Sequence, residues 1–225
     1  MKKSIPSSGL WALLCVIAVF YSCEEQEQLP AYPITLTFDS IAVKSEMRVF
    51  AGGELLDPLS ENISIADYLG RYYTIGFTSY NSKFVEPGIN YGDGARFTYF
   101  ANGRISFASE ISAVERVEDA IIMKSNLMNE VEDTPLVDTD FFKFPYDISS
   151  YGQYTIQHIM YGEEQSALEV ALLYYKLVRY SEEGTLISVD FGTVHNVFNE
   201  DFIEHMTSQD TLAVKSYRLH YSAKP

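Results

Sequence analysis

Apolar and polar residues alternate with period two along much of this chain, the pattern of strands that bury one face. Ile34, Leu36 and Phe38 alternate with Thr35 and Thr37. After Asp39-Ser40, the apolar set Ile41, Val43, Met47 and Val49 alternates with Ala42, Lys44, Glu46 and Arg48, which predicts two strands joined as a hairpin and closed by Gly52-Gly53. A short helix is predicted over 59–69, with Ser60 as its cap, and a strand over 71–80. Phe97 and Tyr99 pair with Ile105 and Phe107 across Asn102-Gly103, a hairpin signature. A strand is read around Ala120–Met123 and another over Gln153–Met160. Ala167–Tyr180 fits either period: Leu168, Val170, Leu172 and Tyr174 make a strand, whereas Leu168, Leu172 and Tyr175 make a helix face. The turn signal Ser181-Glu182-Glu183-Gly184, leading into the alternating Thr185, Ile187, Val189 and Phe191, favours a strand with an antiparallel partner. Asn199 caps a short helix holding Phe202, Ile203 and Met206, and Leu212–Tyr221 forms a last strand.

About ten strands with one or two short helices, joined by connections too short for parallel crossovers, predict an all-β fold: an antiparallel β-sandwich or β-barrel. One domain spans residues 34–225, with an acidic, Pro135-interrupted stretch at 129–140 as a long loop or internal boundary. A short helix before the last strand is similar to the element order of lipocalin-like barrels.

The pattern changes upstream of Ile34. Lys2 and Lys3 precede an apolar run from Leu10 to Phe20, too short to span a membrane, and Phe20-Tyr21-Ser22 leads to Cys23 and the acidic stretch Glu24-Glu25-Gln26-Glu27. This arrangement resembles the signal of a Bacteroidetes-type outer-membrane lipoprotein. It divides the N-terminus into a signal peptide, 1–22, and a lipidated acidic tether, 23–33. The resemblance implies acylation of Cys23, an outer-membrane location and display at the cell surface, with a periplasm-facing orientation as the alternative. Each buried acyl CH2 contributes about 0.8 kcal/mol, so several chains anchor firmly. Cysteine count agrees. Only Cys15 and Cys23 occur, and removal of the signal leaves Cys23 with no internal disulfide partner.

Without residues 1–22, which carry two lysines and no acid, 14 basic side chains face 31 acidic ones, a net charge of −17. Such a surface repels nucleic acid. The only tryptophan, Trp11, leaves with the signal, so any aromatic platform has to be built on tyrosine or phenylalanine.

Motifs for chemistry are sparse. His158, His195, His205 and His220 stand at no metal-ligand spacing, and no cofactor is implied. Asp138-Thr139-Asp140, with Glu132 and Asp133 upstream, lacks the alternating carboxylates and glycine of a calcium loop. No nucleophile elbow, S-x-x-K or phosphate loop occurs, so no enzyme is predicted. Aromatic residues flank the turn-rich segments: Tyr72-Tyr73, Tyr80, Phe84, Tyr91, Phe141-Phe142, Tyr146 and Tyr151. Tyr80, Tyr91, Tyr146 and Tyr151 are the candidate ligand-binding residues, as one surface for glycan or protein capture. The expected function is non-enzymatic binding of a glycan, peptide or host surface by a membrane-anchored domain. A lipocalin-like carrier of an apolar ligand and a subunit of an envelope or fimbria-like assembly are the alternatives.

Overall fold

The computed structural model describes residues 31–56, 96–102, 104–107, 110–130, 140–147, 153–162 and 166–223. The helix predicted at 59–69, the strand at 71–80 and the stretch 131–139 lie outside the described residues. Among the described residues eleven strands form one antiparallel sheet: β1 (Ile34–Lys44), β2 (Arg48–Ala51), β3 (Glu54–Leu56), β4 (Arg96–Tyr99), β5 (Ile105–Phe107), β6 (Glu110–Val117), β7 (Ala120–Glu130), β8 (Gln153–Tyr161), β9 (Ala167–Tyr180), β10 (Leu186–Val194) and β11 (Thr211–Ala223). All belong to one compact unit, Tyr32–Pro225.

The pairings close on themselves. β4 through β9 form a meander, β9 pairs with β11, β11 with β1, and β1 with β4, so eight strands make a ring. Of the two architectures expected, the pairing is that of a barrel. Its thinnest seam joins β8 to β9 through only Met160↔Val170 and Tyr161↔Glu169. Beyond that seam β9 continues with β10 as its neighbour, and the first half of β11 takes β2, which carries β3. The long strands β9 and β11 therefore serve the ring at one end and a flanking sheet at the other.

Alternation assigns their two faces. Leu168, Val170, Leu172 and Tyr174 on β9 and Tyr217, Leu219 and Tyr221 on β11 point inward, where they meet Leu36, Phe97, Ile105, Met123 and Met160 from the other strands. Phe97 stacks on Phe107 at 4.8 Å and sets its edge against Tyr221 at 4.9 Å. The inside of the ring is thus filled by side chains, as in small barrels. Leu173, Tyr175 and Leu177 on β9, with Leu212 and Val214 on β11 and Phe50 on β2, point the other way into a second apolar cluster.

Two chain segments cover that second face. Residues 141–144 and 197–199 zip together through Lys143 N–H to Val197 O, Asn199 N–H to Phe141 O and a bridge between Phe142 and Phe198. The side-chain amides of Gln157 and Asn196 both donate to the Phe144 carbonyl, at 2.7 and 2.8 Å. A 3-10 helix, Glu200–His205, follows, with the Asn199 side chain accepting from Asp201 N–H as its cap. Arg48 clamps it from β2 with two bonds to Glu200, at 2.7 and 2.9 Å.

One expectation is corrected. Asp39-Ser40 does not turn the chain; β1 runs straight through it, and the register shifts at Phe38/Ser40 and Ile41/Val43 mark irregularities in a single strand. Two short polar residues inside a strand imitate a turn, but here they sit where the ladder to β11 slips by one residue.

Candidate functional site

Where β9 ends and β10 begins, a cleft of about 410 Å³ opens at the rim of the second cluster, lined by Asp140, Arg179, Tyr180, Ile187, Phe202, His205, Thr207 and Asp210. The sequence builds it from three elements. Strand periodicity puts Arg179 on the same face of β9 as Tyr175 and Leu177, so its side chain leaves the sheet toward the covering segments. There the guanidinium lies over Phe202, with Cζ 5.6 Å from the ring centroid. Phe202 is buried, with its edge against Phe141 at 5.1 Å, so the cation rests on a fixed aromatic floor.

Asp210 shapes the far wall. It is buried, and its carboxylate accepts from Tyr180 N–H at 3.1 Å and from Thr207 N–H at 2.9 Å, tying the end of β9 to the turn that enters β11. Ile187, which is 65% exposed, supplies an apolar flank. No carboxylate lies within ion-pair reach of Arg179 among the described residues, in a chain with 31 acidic residues against 16 basic. Arg48, Lys124, Lys143 and Arg218 hold acidic partners, whereas Lys44, Arg96 and Arg116, like Arg179, hold none among the described residues; of these, Arg179 is the one that lines the cleft.

Of the four candidate tyrosines, Tyr80, Tyr91 and Tyr151 lie outside the described residues, as does Cys23. Tyr146 is half-buried, packed edge-on against Phe142 at 5.3 Å and Tyr154 at 5.2 Å, with its hydroxyl bonded to the Asn196 side chain. Burial raises its pKa well above the usual phenol value. Phe141 and Phe142 are core residues; they seat the covering segment on the sheet. Sequence reasoning missed Arg179, because its neighbours in the cleft come from positions 140, 187 and 202–210 and no local motif announces them.

A second group of polar side chains lies on the inner face. Lys176 and Lys215 are both buried, and the register sets Lys176 opposite Ala213 and Lys215 opposite Tyr174. The Tyr217 hydroxyl, buried beside Tyr174, makes no hydrogen bond among the described residues. Burial lowers the Lys176 pKa from 10.5 to about 8 and, together with Tyr174, raises that of Tyr217 to about 12. Between pH 8 and 10.5 the unfolded chain binds more protons at this lysine than the folded one, so stability rises with pH across that window. Between pH 10 and 12 the tyrosine acts in the opposite sense, since the folded state then holds the extra proton. The expected urea midpoint climbs from pH 8 to pH 10 and turns down above it, and Lys176→Met flattens the climb, leaving only the smaller part owed to Lys215, whose pKa burial also lowers. A wild-type profile flat over pH 8–10 would contradict this reading of the lysine.

His158 and His195 stack with centroids 4.4 Å apart. The His195 ring is enclosed although the residue as a whole keeps some exposure, and desolvation, reinforced by His158, pushes its pKa down to about 3. His195 is therefore neutral at physiological pH. Among the described residues no three His, Cys, Asp or Glu side chains are grouped to hold a metal ion, and no helix is long and apolar enough to cross a membrane. The sequence matches no protein-family model, and neither curated proteins nor solved structures give a match.

Proposed function

We propose that this protein is a lipid-anchored, surface-exposed, non-enzymatic binding protein whose ligand enters the Arg179 cleft. The observation that carries the binding part is the Arg179 guanidinium, held on Phe202 at the wall of an open cleft and without an acidic partner among the described residues. A strongly acidic chain has many carboxylates with which to neutralise an arginine, so one left facing a concavity is a binding group in waiting. The anchor rests on the sequence around Cys23. The carrier alternative loses support from the filled ring, whose inward side chains are almost wholly buried. The assembly-subunit alternative draws on β10, which exposes Leu186, Ile187 and Phe191; growth of oligomers with concentration in detergent would favour it.

Cys23→Ala is expected to move the protein from the membrane to the soluble fraction. Protease treatment of intact cells should remove the wild-type domain while a periplasmic control survives. Membrane retention of the variant would overturn the lipid anchor, and full protection of the wild-type domain would overturn surface display.

A further inference from the structure

The lining of the cleft specifies more than an anion. Arg179 offers a planar fork of donors that pairs a carboxylate through two parallel bonds, and its stacking on Phe202 limits the rotamer freedom that pairing would otherwise cost. Two acidic residues, Asp140 and Asp210, share the lining with it. The Asp210 oxygens already accept from Tyr180 and Thr207 N–H, which leaves each oxygen one further lone pair for a ligand hydroxyl. A ligand with two or more negative charges meets exposed Asp140 and buried Asp210 in the same cleft and is repelled by both. Singly charged ligands gain the Arg179 contact while presenting little charge to the acids.

The remaining lining residues favour hydroxyl groups. His205 and Thr207 each donate or accept, and Tyr180 adds a further polar side chain. Ile187 gives an apolar flank beside the Phe202 floor, suited to the C–H face of a small ring rather than to an aliphatic tail. A volume of about 410 Å³ falls at the lower end of the range for small-molecule pockets.

We infer that the cleft binds a small, singly charged hydroxylated carboxylate, its carboxylate paired with Arg179 and its hydroxyls with Asp140, His205, Thr207 and Asp210. This deepens the binding-protein reading and rests on it. The chemistry is that of a sugar acid, and it disfavours phosphate, phosphomonoesters and fatty acids alike.

Calorimetric titration of the full chain in detergent at low salt tests this, with glucuronate, glucose and inorganic phosphate as the three probes. Glucuronate should bind roughly tenfold more tightly than glucose, the worth of one charge-assisted bond pair, and phosphate should bind more weakly than glucuronate. Arg179→Gln should erase the preference for glucuronate over glucose, and Arg179→Lys, which keeps the charge but loses the fork, should restore only part of it. Equal affinity for glucose and glucuronate, tighter binding of phosphate, absence of glucuronate binding, or an unchanged preference in Arg179→Gln each overturns the assignment. Amide shifts of the wild-type protein provide a readout that needs no variant: glucuronate should move Tyr180, Ile187 and Thr207, and shifts confined elsewhere overturn the site. The titration is independent of where the protein resides. A failed titration leaves the Cys23 anchor standing, and a failed anchor leaves the cleft chemistry standing.

Discussion

Phe141→Ala is expected to destabilise the protein by about 3–5 kcal/mol, the cost of emptying a fully enclosed aromatic site. Phe141 is 0% exposed and among the described residues touches four rings: Phe142 at 5.0 Å, Tyr175 at 5.0 Å, Phe202 at 5.1 Å and Phe198 at 5.2 Å. It joins the covering segment, the sheet and the 3-10 helix, so no single neighbour can move to fill its place. The loss should also reach the cleft, since Phe202 is both a partner of Phe141 and the floor under Arg179. Thermal unfolding should show a midpoint lower by roughly 10 °C, and Phe141→Leu should recover a large part of it. A loss below about 1 kcal/mol would mean that the cover repacks freely and does not fix the cleft.

Asp210→Ala comes next in size, at about 2–4 kcal/mol, by a different mechanism. The side chain contributes little apolar area; buried itself, it satisfies two backbone donors, Tyr180 N–H and Thr207 N–H, at a partly buried corner. Alanine leaves both without their acceptor, and each unsatisfied buried donor costs about 1–3 kcal/mol. Asp210→Asn keeps one oxygen and turns an NH2 group toward the other donor, so it should cost less than alanine and more than nothing. Urea denaturation measures the total, and hydrogen exchange locates it: the amides of Tyr180 and Thr207 should lose protection selectively. Unchanged protection at both positions in Asp210→Ala would show that water replaces the carboxylate at no cost.

Where side-chain alternation was intact, strand positions were legible. The ambiguous run at 167–180 is β9, the alternation at 185–191 is β10, and the predicted last strand lies within β11. The hairpin across Asn102 has the predicted partners, Phe97↔Phe107 and Tyr99↔Ile105. β6 was missed because Ser112, a polar residue, occupies its buried position opposite Ile105, while Val114 is only partly buried. Ring closure was not legible at all. It depends on β11 pairing with β1, a contact across nearly the whole chain that no local pattern encodes. The cleft was hidden for the same reason: Arg179 reads as an ordinary outward-facing strand residue until the chain from 140 and from 202–210 is folded beside it. The aromatic doublet Phe141-Phe142 was legible as a distinctive feature but not as core, because a buried cover and an exposed platform share the same composition.

The double duty of β9 and β11 bears on when the fold can form. β11 bonds to β1, β2 and β9, all of which precede it in the chain. During synthesis from the N-terminus, neither the ring nor the flanking sheet can be completed until this final strand emerges. Until then β1 lacks one of its two neighbours and β9 lacks the partner with which it forms its longest ladder. A chain threaded through a membrane N-terminus first, as the proposed anchor requires, could pair its β4–β10 meander early but would close its ring only when its last strand arrives on the far side.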